Sequence, residues 1–227
     1  MTLVCDENHT SPSCVSRTTA NEPRPTGRCI RLSQSIPNRG TGAGGANTNA
    51  NGKSFEQRTS NESRLLEVGF IRKRIPGTNA KHGFYLEGTL AGKDVVYLTQ
   101  GGLKAYFAHF FQTSMCRSPD EAYLTKEHDH YTLTILEKKN QNTAGSVDTK
   151  LLAGKGFIDE YEFLLEQSGK PFRVRYGFCI SAYLKNDYTA DSVKSKALAH
   201  INHKHGIQVL FGDDDDYYAK LDAWLVQ

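Results

Sequence analysis

The chain has 227 residues, 38% of them apolar, with 11 Tyr and 11 Phe, enough to build one packed domain of ordinary size plus extra chain. Its 28 Lys and Arg against 25 Asp and Glu leave a net charge of +3, too weak a balance to argue for nucleic acid by itself, although cations gathered on one face around an acidic site would give the same sum. The five cysteines are odd in number, widely spaced and without a Cys-x-x-Cys pair, and no apolar run has the length of a signal peptide or a bilayer span; a disulfide framework, a zinc knuckle and a membrane partner are therefore not indicated, and the reading is a soluble, intracellular, cytoplasmic protein.

Residues 1–52 are rich in Thr, Ser, Asn, Gly and Pro and end in Thr41-Gly-Ala-Gly-Gly-Ala-Asn-Thr-Asn-Ala-Asn-Gly52. Such a segment buries too little apolar surface to offset its chain entropy and reads as a disordered tail. A basic arm on DNA is the alternative, given Arg17, Arg24, Arg28, Arg31 and Arg39. The folded part, residues 53–227, opens with a helix from Phe55 to Val68 that stops at Gly69. Arg72, Lys73 and Arg74 read as a solvated charge run in a loop. Lys81 to Leu90 and Lys93 to Leu98 form a hairpin about Ala91-Gly92. Gln100-Gly101-Gly102 opens a short helix with Leu103, Phe107, Phe110 and Phe111 inward.

A short strand, Ala122 to Leu124, is followed by a polar turn and then by a strong strand, Tyr131 to Lys139, dense in β-branched residues. Ser146 to Gln167 reads as one long helix with the stripe Val147, Leu151, Gly154, Ile158, Tyr161 and Leu165. Phe172 to Leu184 alternates as a strand, with Arg173 and Arg175 on the face opposite its apolar side chains. A helix from Asp191 to Lys204, a strand from Ile207 to Phe211 and a helix from Asp213 to Val226 complete the chain. The fold class is thus α/β or α+β, a mixed central sheet flanked by helices.

Chemistry concentrates in Ser118-Pro-Asp-Glu121 and Glu137-Lys-Lys-Asn-Gln141. Residues two apart on a strand share a face, so Glu137 and Lys139 project together and Lys138 projects the other way. Asp120 leads into the neighbouring strand of a tight hairpin, which brings two carboxylates and an ammonium to one spot. Hydrolysis of an anionic phosphodiester calls for that combination: carboxylates hold a divalent cation that neutralises developing charge and acidifies water, and the ammonium orients the attacking water. Hard oxygen ligands suit Mg2+, with Mn2+ able to substitute. The plainer account is an exposed pair at a fraying strand end, but placing these charges where an apolar strand ends is costly unless they serve a site.

Pro119-Asp120, a spacer and Glu137-Lys138-Lys139 resemble the signature of the PD-(D/E)XK nuclease superfamily, which includes most type II restriction endonucleases. The resemblance covers residues 53–227, and the order of helix, hairpin, long helix and strand is similar to that family's restriction-endonuclease-like core. It implies cleavage of double-stranded DNA, with Asp120, Glu137 and the backbone carbonyl of Lys138 as metal ligands, Glu56 from the leading helix as a further acid, and Lys139 positioning the nucleophilic water. A homodimer, by analogy with symmetric restriction sites, and at most two metal positions go with it. The string from Gln141 to Lys150 is similar to what restriction-type members carry at that place.

Weaker features remain open. Ser146 reads as an N-cap or as a phosphate contact at the helix start, and Lys150 reaches either phosphate or solvent. Lys104, Gln141, Arg173 and Arg175 are candidate DNA contacts. Asp213 to Asp216 read as acids complementing and capping the last helix, and His200, His203 and His205 as surface residues at a helix end. Cys116 and Cys179 read as core or near-core thiols.

Overall fold

The computed structural model describes residues 53–79, 83–141 and 147–227, the side chains of residues 147 and 148 excepted. All of them belong to the larger of two compact units into which the chain divides, Arg39–Gln227. The expectations for residues 1–52 and for Ser146 lie outside the described residues.

Seven strands form one sheet in sequence order. β1 (Ile71–Arg74), β2 (Phe84–Leu90), β3 (Lys93–Thr99), β4 (Glu121–Lys126) and β5 (Tyr131–Lys139) run antiparallel to their neighbours, and β6 (Phe172–Ile180) and β7 (Gln208–Phe211) add in parallel. The mixed sheet with helices on both faces is the architecture expected from the sequence. The β2–β3 turn is tight because Ala91 and Gly92 both adopt left-handed backbone, with φ of 46° and 80°. The run Ile71–Arg74, expected as a loop, is an edge strand with every residue exposed. Its charges suit an edge that must not recruit another strand, and Lys73 and Arg72 pair with Glu87 and Glu62.

Each face of the sheet carries its own core. One face packs Leu133, Ile135, Tyr176 and Phe178 under α3 (Gln100–Phe110), α4 (Val147–Leu152), α5 (Gly154–Glu166), α6 (Ala182–Tyr188) and α7 (Val193–Lys204). The other packs Leu86, Tyr123, Leu136 and Leu210 under residues 53–58 (helix α1), α2 (Glu62–Glu67) and α8 (Tyr217–Leu225). Among the described residues no helix is long and apolar enough to cross a membrane.

Three boundaries depart from the sequence reading. The leading helix breaks at 59–61: Thr59 N still donates to Phe55 O at 3.0 Å, but Asn61 N donates to Glu121 Oε1 at 2.9 Å, and both residues are fully buried. The long helix is two, α4 and α5, parted at Ala153, although the stripe Leu151, Gly154, Ile158, Tyr161 and Leu165 is buried as expected. A Cβ at Gly154 would lie 2.6 Å from Ile207 Cδ1, so the glycine lets α5 approach β7. β6 stops at Ile180 because the amide of Ala182 donates to Asp213 Oδ2 at 2.8 Å and starts α6. Asp213 therefore caps α6 rather than the last helix, which begins at Tyr217.

Candidate active site

The alternation of β5 places its last four residues. Leu133 and Ile135 point into the α5 face and Leu136 into the α8 face, so Glu137 and Lys139 follow the first and Lys138 the second. On β4 Ala122 and Leu124 share the α5 face, while Tyr123 points the other way. The ladder pairs Glu121 with Leu136 and Ala122 with Ile135. One further step sets Asp120 opposite Glu137, on the same face.

The end of the sheet fixes Asp120 through main chain. Ser181 N donates to Lys139 O at 3.1 Å, on the β6 side. Strand alternation therefore turns the N–H and carbonyl of Lys138 toward β4. There the Lys138 N–H donates to Asp120 Oδ2 at 2.6 Å. Lys139 Nζ donates to Glu137 Oε2 at 2.6 Å. The hairpin thus gathers Asp120, Glu137, Lys139 and the Lys138 backbone.

The charges of this group act on one another. Burial holds the Glu137 carboxyl above its ordinary range; Lys139 and Arg117 pull it down and Asp120 pushes it up. Glu56, on α1, is also raised, first by burial and then by Asp120, against Lys138, Lys139 and Lys53. Burial, with Glu137 adding to it, pushes the phenols of Tyr161 and Tyr176 far up. The Tyr161 hydroxyl is buried and has no hydrogen-bond partner among the described residues. A half-buried carboxylate facing a second one favours a cation between them, and two carboxylates with a carbonyl form a hard-oxygen donor set. Among the described residues no three His, Cys, Asp or Glu side chains enclose a common point. Glu56 therefore does not complete a three-acid cage with Asp120 and Glu137; it borders Asp120 across an open cleft of about 290 Å³ that Gln100 and Lys138 also line.

The remaining candidates fall elsewhere. Lys104 and Lys150 are exposed on α3 and α4. Gln141 follows β5 and its main chain meets Ser181 Oγ at 3.4 Å. Arg173 and Arg175 lie on the face opposite Glu137; its ladder partner on β6 is Phe178, three residues past Arg175, or about 10 Å along the strand. Arg175 sits over the Trp224 ring at 5.2 Å, so neither arginine faces the acids. The sequence reading missed Arg117, whose charge reaches Glu137 and which is held by Glu160 at 2.6 Å and over the Phe157 ring at 4.7 Å. Its place three residues before Asp120 was the available signal. Cys116, expected near the core, is exposed, whereas Cys179 is buried. A cavity of about 820 Å³ lies at the far end of the sheet among Ile71, Tyr106, Phe110 and Lys126 and is lined by none of Glu56, Asp120 and Glu137. Comparison with family models, with characterised proteins and with solved structures returns no match.

Proposed function

We propose that the chain is a Mg2+-dependent endonuclease that hydrolyses phosphodiester bonds of double-stranded DNA, a type II restriction-like enzyme of the PD-(D/E)XK kind acting as a homodimer. The observation that carries this reading is the convergence of Asp120, held by the Lys138 N–H at 2.6 Å, and Glu137, paired with Lys139 at 2.6 Å, on one face at the open end of the sheet. Asp120, Glu137 and the Lys138 carbonyl would hold the metal. When bound, Mg2+ neutralises charge developing on the phosphate and makes water more acidic.

The chain's own groups supply the rest. Lys139 is anchored by Glu137, so its ammonium stands beside the acids, where it can orient a water and offset charge on the phosphorus. Arg117 adds a second cation on the same side.

Incubation of unmethylated plasmid and genomic DNA with Mg2+ or chelator tests the proposal. Discrete fragments are expected with Mg2+ alone, and Glu137→Ala and Lys139→Ala should each lower cutting by more than about 10³-fold while the fold is retained. Retained cutting in either variant overturns the assignment. A smear in place of fragments points to a processing nuclease on the same site, and a gel shift without cutting to a DNA-binding module. Sedimentation of the intact protein tests the dimer.

A further inference from the structure

Lys138 lies inside the site motif but its side chain leaves the site. It runs through the sheet to the opposite face, where it is 3% exposed. A buried ammonium has three protons to satisfy, and all three find acceptors. Lys138 Nζ donates to Glu121 Oε1 at 2.8 Å, to Thr59 O at 3.0 Å and to Glu56 O at 3.3 Å. The last two are carbonyls at the C-terminal end of α1, where helix carbonyls lack partners and the helix dipole is negative. The counter-ion is the residue after Asp120, and Glu121 Oε1 also accepts from Asn61 N at 2.9 Å, fixing the turn that follows α1. The same lysine's N–H orients Asp120.

One residue therefore grips both sides of the cleft. Its main chain holds Asp120, and its side chain holds the segment that presents Glu56. A buried ion pair carries a large desolvation cost, offset here because Glu121 and Lys138 also satisfy Asn61 N and the carbonyls of Glu56 and Thr59. The position of Glu56 supplies a reason for the pair. Glu56 lines the same cleft as Asp120, yet among the described residues it stands outside any three-acid cage. Mg2+ keeps several waters, and an acid at that remove bonds to them.

We propose that Lys138, paired with Glu121, is a positioning residue that fixes Glu56 opposite Asp120, so that Glu56 acts on the cation through its bound waters. The inference rests on the metal-nuclease reading of Asp120 and Glu137. Mn2+ binding to the full chain in the absence of DNA, followed by calorimetry, tests it separately from cutting. The variant Glu121→Gln/Lys138→Met removes both charges together, leaving no unpaired ion and keeping an acceptor for Asn61 N. It and Glu56→Gln are each expected to weaken Mn2+ binding about 10-fold, the size seen when outer partners of a metal site are removed. Combining the two should weaken it no further, because both act through one contact.

In cutting assays the Mg2+ needed for half-maximal rate should rise about 10-fold in either variant. Lys138→Arg keeps the charge but re-aims the donors, and should fold while showing the same loss; it replaces the double variant if circular dichroism finds that one unfolded. Unchanged Mn2+ affinity in the folded variants, or losses that add, overturns the role of Lys138. Unchanged affinity in Asp120→Asn and Glu137→Gln overturns the metal reading itself, and the inference with it.

Discussion

Strand β5 ends in two lysines, each paired with a glutamate, on opposite faces of the sheet. Lys138 meets Glu121 at 2.8 Å with side chains 3% and 2% exposed; Lys139 meets Glu137 at 2.6 Å with both 22% exposed. The chemistry is the same and the lengths are similar, but the surroundings differ. Glu121 accepts from Asn61 N, Tyr97 OH and Lys138 Nζ at Oε1 and from Tyr123 OH at Oε2, so both oxygens are engaged. Among the described residues Glu137 has Lys139 as its hydrogen-bond partner, faces Asp120 and adjoins a phenol, Tyr161, without one. A saturated buried pair holds a structure in place. A pair with spare acceptors at an open edge is ready for something from outside.

The largest effect that can break this comparison comes from cutting one member out of each pair. Lys138→Ala leaves Glu121 charged and buried without its counter-ion, and should cost about 3–5 kcal/mol of stability in urea unfolding. Lys139→Ala leaves Glu137 within reach of solvent and should cost no more than about 1 kcal/mol. Similar losses in the two variants would remove the distinction between a structural pair and a functional one.

The two pairs were not equally legible in the sequence. Period-two alternation was enough to turn Glu137 and Lys139 one way and Lys138 the other, and β5 has the expected bounds, Tyr131–Lys139. Hairpin pairing brought Asp120 opposite Glu137 because so few residues separate the arms. What Lys138 meets was out of reach, since Thr59 lies 79 residues away and no local pattern encodes such a contact. The same holds for the boundaries that shifted. The alternation of β6 continues through Ala182 and Leu184, yet Asp213, 31 residues on, captures the Ala182 amide and begins a helix. Arg173 and Arg175 were assigned to the correct face of their strand, but only the packing of α8 shows that Trp224 covers Arg175 and that the acids lie across the sheet.

A medium-sized effect sharpens the comparison by adding Mg2+. Mg2+ at about 100 times its dissociation constant should add about 2.7 kcal/mol to stability if it binds the folded state alone. For a chain of this size that raises Tm by about 5–10 °C. Asp120→Asn should abolish the rise, and Glu121→Gln/Lys138→Met should reduce it at a fixed Mg2+ concentration without removing it. A rise in differential scanning calorimetry that survives Asp120→Asn would place the ion elsewhere.

The smallest effect concerns pH, and its sign is fixed by the direction in which Glu137 is shifted. Burial raises the Glu137 carboxyl in the folded protein, Asp120 adds to that, and Lys139 opposes it without cancelling it. The folded state therefore holds this proton more tightly than the unfolded chain. Its contribution to stability is present below the ordinary glutamate range and is lost as pH rises through the raised value. At neutral pH the ionised carboxylate works against the fold. Metal-free Glu137→Gln, uncharged throughout, should then melt above wild type at pH 7, and the gap should close as the medium is acidified below the ordinary glutamate range. The Lys139 ammonium left behind is partly solvated, so its loss of a partner offsets little. Glu121→Gln should do the reverse at pH 7, because it strands a buried ammonium. Adding Mg2+ should invert the order of wild type and Glu137→Gln, since only the carboxylate rewards the cation. A melting curve in which Glu137→Gln falls below metal-free wild type at pH 7 would mean that the Lys139 pair outweighs burial, and that Glu137 is as settled in its surroundings as Glu121.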